Sequence, residues 1–227
     1  MRIDILTLFP DMFVPLRSSI IGRAEQKGVV EIVITDIRAH SKDRHEKCDD
    51  QPFGGGAGMV MTPQPIADAV KAVDPDHRAH RVYLSPKGRV LSMPRVKALA
   101  KDNKRLLLLC GHYEGVDQRV IDLYIDEEIS VGDYVLTGGE LPAMVLCDAV
   151  IRQLEGALSP GSLDDESFTA GLLEYPQYTR PQVFESLEVP EILLSGHHKN
   201  IETWRREQAL KITRKNRPDL LNPPNQP

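Results

Sequence analysis

The chain is predicted to be an α/β protein, with a mostly parallel sheet covered by helices on both faces and a smaller, mainly helical domain after it. Three observations predict this. Short β-branched or leucine-rich runs alternate with helical stretches as far as about residue 155, the pattern of parallel strands joined by crossover helices. The run Leu106-Leu107-Leu108-Leu109-Cys110 is apolar at every position, as befits a buried strand. Past Gly156 the composition turns to Gly, Ser, Pro and three successive acids (Asp164, Asp165, Glu166), which marks a linker.

Taken in order, Ile3–Leu8 is the first strand. An Asp inside that stretch, one positive charge before it and no small-residue cleavage site distinguish Met1–Pro10 from a signal peptide. A helix is expected from about Asp11, its N-cap, to Lys27, with Gly28 as the stop. Val29–Ile34 is a β-branched strand. Residues 36–58 are polar, then charged, then glycine-rich (Phe53-Gly54-Gly55-Gly56-Ala57-Gly58), and predict a long mobile loop, a kind that is usually functional or disordered. Then follow a helix from about Gln64 to Val73, strand Val82–Ser85, helix Met93–Lys101, strand Leu106–Cys110, helix Val116–Tyr124, strand Glu128–Val131 and a long helix from about Leu141 to Glu155. The part beyond the linker is Pro-rich and helical.

Two of the apolar runs end in glycine-bearing turns: Cys110-Gly111-His112-Tyr113-Glu114-Gly115 and Val131-Gly132-Asp133-Tyr134-Val135-Leu136-Thr137-Gly138-Gly139. Glycine lets backbone approach a ligand where a Cβ would collide. Two such turns close together predict a pocket lined by main chain at the ends of buried strands, where open α/β sheets bind ligands.

Composition narrows the function classes. No apolar run approaches the roughly 18 residues of a membrane span. Cys48, Cys110 and Cys147 are odd in number and far apart, and read as reduced, mostly buried thiols of a cytoplasmic protein. Net charge is −5, but residues 195–217 carry seven Lys/Arg against two acids, leaving 21 basic and 31 acidic residues, net −10, elsewhere. A basic segment on an acidic body suits either a polyanion contact or a solvated helix face.

Standard motifs are absent. Gly54–Gly58 follows polar loop rather than a strand and opens no helix, so it is no dinucleotide fingerprint. There is no P-loop and no Gly-x-Ser-x-Gly elbow, and the cysteines with His112, His197 and His198 lack zinc-like spacing, so no metal site is expected.

Six separated runs carry a resemblance: Gly54-Gly55-Gly56-Ala57-Gly58-Met59-Val60-Met61, Tyr83-Leu84-Ser85-Pro86, Cys110-Gly111-His112-Tyr113-Glu114-Gly115-Val116-Asp117-Gln118-Arg119, Val131 through Met144, Gly171-Leu172-Leu173-Glu174-Tyr175-Pro176-Gln177-Tyr178-Thr179-Arg180-Pro181, and Leu194-Ser195-Gly196-His197-His198. In this order, over nearly the whole chain, they resemble the bacterial tRNA (guanine-N1-)-methyltransferase family. The resemblance implies an S-adenosyl-L-methionine-dependent homodimer of the knotted (SPOUT) superfamily, with its active site at the subunit interface, that methylates N1 of the guanosine immediately 3′ of the anticodon. It implies a trefoil knot through Leu106–Pro142, against the rule that chains avoid knots. The domains are then 1–158 for the knotted cofactor-binding part, 159–170 for a linker and 171–227 for a small tRNA-binding part.

The implied cofactor site comprises Tyr83, Leu84, Ser85 and Pro86, then Gly111, Tyr113, Glu114 and Gly115, then Val131, Gly132, Asp133, Tyr134, Val135, Leu136, Gly138 and Gly139. Glu114 either holds the ribose or amino group or caps the helix after Gly115. Guanine N1 carries a proton, which a carboxylate suits. The family's Asp-Ser-Phe triplet is here Glu166-Ser167-Phe168 preceded by Asp165, so Glu166 holds the base position and Asp165 is the alternative. Arg152 matches the family's functional arginine and would stabilise charge growing on O6. Arg119 has no firm role. On the helix starting near His198, Ile201, Trp204 and Ile212 form an apolar stripe; Arg206, Arg214 and Arg217 lie opposite and, with Lys215, are the candidate tRNA contacts. Trp204 serves the core or stacks on a base. Two other classes stay in view: a non-catalytic RNA-binding protein, favoured by the Asp-to-Glu departure alone, and a dehydrogenase, suggested only by the α/β alternation.

Overall fold

The computed structural model describes residues 1–102, 104–159, 161–163, 166–169 and 171–222. The chain divides into two compact units, 1–159 and 160–227. Along the first run β1 (Arg2–Thr7), α1 (Ser19–Gln26), β2 (Glu31–Asp36), β3 (Asp49–Asp50), β4 (Val60–Met61), α2 (Pro63–Val73), β5 (His80–Val90), α3 (Met93–Asp102), β6 (Arg105–Cys110), α4 (Gln118–Tyr124), β7 (Glu127–Ser130) and α5 (Glu140–Ile151), with 3-10 turns over Pro10–Arg17 and Ile37–His40.

Five parallel strands form one sheet in the order β2-β1-β6-β5-β7. The apolar block is its centre. Leu106, Leu108 and Cys110 of β6 point into a core with Ile21 and Ala24 of α1, Val96 and Leu99 of α3, and Leu146 and Val150 of α5. Leu107 and Leu109 point the other way, onto Ile66 and Val70 of α2 and Val120 of α4. Helices therefore cover both faces, and β6 shows no polar alternation because neither face meets water.

The two ends of the sheet differ. At the strand N-termini, buried Asp4 takes Arg2 and Arg105 at 2.8 Å each, and Asp74 at the end of α2 takes Arg81 at 2.8 Å. The C-terminal ends of β6 and β7 carry the glycine turns.

Two expectations are corrected. The helix predicted from Asp11 to Lys27 is two pieces broken at Ser18, whose backbone is extended (φ −114°, ψ 170°). Pro15 inside the first piece lacks the N–H that an α-helix needs there; Asp11 lies in that piece's first turn rather than at its N-cap, which is Phe9. Residues 36–58 are not one structureless loop. Asp36 caps the Ile37–His40 turn through Arg38 N–H, Asp43 accepts from His45 and Lys47, the Ser41 hydroxyl donates to Lys47, and β3 pairs antiparallel with β4. Side-chain bonds to backbone there replace regular structure.

In the second unit a short hairpin, β8 (Val183–Phe184) and β9 (Leu187–Glu188), precedes α6 (Glu191–Leu194) and α7 (His198–Asn216). Helix α7 buries Ala209 and Thr213. Half-buried Trp204 packs 6.3 Å from the exposed Tyr178. Arg206, Arg214 and Lys215 are exposed along the helix. Arg217 is the helix's C-cap rather than a member of its face, and its guanidinium forks onto Asp219 at 2.7 Å. Among the described residues no helix is long and apolar enough to cross a membrane.

Candidate active site

A cleft opens at the C-terminal ends of β6 and β7, beside the middle of β5. Tyr83, Leu84, Ser85 and Pro86 line it from β5, Gly111, Tyr113, Glu114 and Gly115 from the turn after β6, and Val131, Tyr134, Val135, Leu136, Gly138 and Gly139 from the segment after β7. Three segments far apart in sequence thus meet in one place.

Glycine makes that meeting possible. The segment after β7 lies directly on the turn after β6: His112 and Gly138 form a bridge, and Gly139 N–H donates to Gly111 carbonyl at 2.8 Å. A side chain on Gly139 would begin 2.8 Å from Cys110 Cα and 2.9 Å from Gly111 N, so nothing larger fits between these backbones. Gly111 has a different reason from the one its motif suggested. A Cβ there would stand 2.7 Å from the Tyr83 hydroxyl and 2.8 Å from its ring, so the glycine first makes room for a neighbouring side chain and only through it for a ligand. Burial, aided by nearby Glu128, pushes the Tyr83 phenol above its ordinary value, so it stays a neutral hydrogen-bonding group.

The glycine loop and β4 clasp this turn from outside. Glu114 N–H donates to Met59, Met61 N–H to Gly115, and Asp117 N–H to Met61. A side chain on Gly58 would begin 2.5 Å from Glu114 Cγ and Oε1, so the bare backbone of the loop shapes where Glu114 lies. Glu114 does not cap α4. Asp117 does, accepting from Arg119 N–H, while the Arg119 guanidinium pairs with Asp117 at 2.7 Å. Tyr113 holds φ +59°, a left-handed conformation rare in non-glycine residues and recurrent at functional sites.

Gly132 and Asp133 do not line the cleft. Gly132 (φ +153°) turns the chain, its N–H and carbonyl both bonded to the Ser130 hydroxyl, and Asp133 is exposed. The sequence reading missed His112, Lys87, Glu128 and Ser130, which do line it. Lys87 and Ser130 adjoin quoted motif residues and His112 lies within one, but the register of β5 against β7 shifts between Leu84 and Arg89, a bulge that has no sequence signature.

Arg152 and Glu166 are not among the residues that line the cleft. Arg152 is the C-cap of α5. It stands about one helix length from Gly139 at the other end, roughly 20 Å at 1.5 Å per residue. Glu166, half-buried, belongs to the second unit, where its carbonyl accepts Thr169 N–H. Asp165 lies outside the described residues. All three cysteines are buried, and burial pushes the Cys110 thiol well up and the Cys147 thiol up to about 12.

The family model described as tRNA (Guanine-1)-methyltransferase TrmD matches residues 1–223. The tRNA (guanine-N(1)-)-methyltransferase of Ruminiclostridium cellulolyticum is 56% identical over 226 residues, covering 98% of this chain and 97% of that protein. Those of Clostridium acetobutylicum and Alkaliphilus metalliredigens are each 52% identical, covering 98% and 97% of this chain and 91% and 92% of their own. A match this long, through every segment that builds the cleft, means that the chain belongs to the tRNA (guanine-N1-)-methyltransferase family.

Proposed function

We propose that this protein is an S-adenosylmethionine-dependent enzyme that methylates N1 of the guanosine immediately 3′ of the anticodon in tRNA. The observation that carries this reading is the main-chain cleft at the ends of β6 and β7, in a chain of this family.

The residues present fit the cofactor. Backbone of Gly111, Gly115 and Gly139 comes to the cleft without side chains, which suits close hydrogen bonding to an adenine, and Tyr134 and Leu136 offer apolar surface. Glu114 and Glu128 put carboxyl groups beside the cleft, a setting that favours a cation. When bound, S-adenosylmethionine supplies a methyl group made electrophilic by its sulfonium. The chain's own task is the proton and the charge. Glu166, or Asp165 beside it, accepts the proton of guanine N1. The Arg152 guanidinium stabilises the negative charge that moves to O6.

Arg152 is a helix length from the cleft of its own unit, so the reading requires it to serve the cleft of a second copy. Surface composition supports such a homodimer. Helix α5 packs beside the Pro10–Arg17 turn, and together they leave Leu141, Val145, Met12 and Val14 exposed. An apolar patch of this kind marks an interaction surface. The trefoil knot is part of the same reading, supported by the contact of residues 138–139 with residues 110–112, as is a cytoplasmic location beside tRNA.

The test is incubation with unmodified tRNA and isotope-labelled S-adenosylmethionine, followed by mapping of the methyl group. One methyl at N1 of that guanosine is expected. Binding of tRNA and adenosylhomocysteine without transfer, in single-turnover conditions, would instead establish the non-catalytic alternative that the Glu166 departure favours.

A further inference from the structure

Glu140 opens α5 and is 1% exposed, yet only half of its carboxyl group is partnered. Oε1 accepts the Thr7 hydroxyl at 2.8 Å, and Thr7 Oγ1 in turn accepts Phe9 N–H at 2.9 Å. Oε2 has no hydrogen-bond partner. A buried oxygen left in that condition is costly and calls for an explanation.

That oxygen faces Gly138. A side chain on Gly138 would begin 2.4 Å from Glu140 Oε2, 2.6 Å from His112 Cδ2 and 2.8 Å from His112 Nε2. The orphan oxygen and the imidazole edge therefore share one small space that the missing Cβ keeps open. His112 lines the cleft, and its ring packs against Phe9 at 4.8 Å and Tyr113 at 5.4 Å. Contacts thus run from Phe9 through Thr7 to Glu140, and from His112 back to Phe9. One bond is missing from the circuit.

We propose that His112 Nε2–H donates to Glu140 Oε2 when the cleft is filled, so that Glu140 is a positioning residue for His112 and for the left-handed Tyr113 beside it. Oε2 is closed to solvent already, which leaves the imidazole as the donor at hand, and the low local dielectric strengthens the bond it makes. Glu140 then ties the end of β1 to the cleft wall and acts on the cofactor only through His112. The inference rests on the cleft being the cofactor site proposed above.

Nitrogen NMR of the His112 imidazole, with and without adenosylhomocysteine, tests the bond directly. In the bound wild type Nε2 is expected to carry the proton. In Glu140→Gln, whose amide N–H₂ faces the ring, the proton is expected to move to Nδ1. Calorimetry supplies the second reading. Glu140→Met and His112→Phe are each expected to weaken adenosylhomocysteine binding about tenfold, the double variant no more than either one, because both remove the same bond. Additive losses, or a bound wild type with its proton on Nδ1, overturn the pairing while leaving the cleft assignment intact. A wild type that binds no adenosylhomocysteine overturns the cleft assignment and the pairing with it. If Glu140→Met fails to fold, the tautomer in the wild type and the His112→Phe affinity still decide.

Discussion

At Gly111 a side chain would strike Tyr83 before it reached a ligand, and at Gly139 it would strike backbone. These glycines are spacers between protein parts as well as lining of the cleft. The reacting groups are residue-scale matters too. Glu166→Gln is expected to lower single-turnover methylation by roughly 10²–10⁴-fold, the usual loss for a positioned base, with adenosylhomocysteine affinity nearly unchanged. Asp165→Asn serves as the control. A large defect there with an active Glu166→Gln moves the base by one residue, and two active variants take it out of this segment altogether.

At the scale of elements, α7 presents Arg206, Arg214 and Lys215 to solvent, while Arg217 is held by Asp219 beyond the helix end. Replacing Arg206 and Arg214 with Ala is expected to weaken tRNA binding and to flatten its dependence on salt by about one unit of slope per lost phosphate contact. Discrimination for the target guanosine should hold, since phosphate contacts position but do not read sequence. A loss of discrimination at unchanged slope would make these arginines base readers. The strand N-termini carry a different prediction. Burial alone would push the Asp74 carboxyl up, but N–H groups of Arg78 and Ala79 and the Arg81 guanidinium outweigh it and hold the group below its ordinary value. The unfolded chain takes up this proton near pH 4 and the folded one only lower, so the stabilisation is whole at neutral pH and is lost as pH falls through that range. Asp74→Asn strands the buried Arg81 and is expected to cost about 3 kcal/mol at pH 7. Urea titrations should show the gap from wild type narrowing as pH falls below about 4; a gap independent of pH would mean that the carboxyl is not what is lost.

For the whole molecule, a site shared between copies has a direct consequence. Gly111→Val and Arg152→Ala proteins, each inactive, should regain part of the activity when mixed, because heterodimers carry one cleft with both parts intact. Sedimentation must then show a dimer. An active monomer would refute the shared site.

The alternation of the main strands and helices in the first unit, the burial of β6 and the family were legible in the chain as written, because burial on two faces demands an unbroken apolar run and because the glycine turns stand at the ends of such runs. Most of the cleft lining followed from the same turns. Other features depend on contacts between residues far apart in sequence, which no local pattern encodes. The break at Ser18, the side-chain bonds that order residues 36–50, the Tyr83 ring that Gly111 must clear, and the Gly138 space shared by His112 and Glu140 are of this kind. Local sequence governs which way a segment folds by itself. Which side chain it then meets is set by the packing of the whole unit.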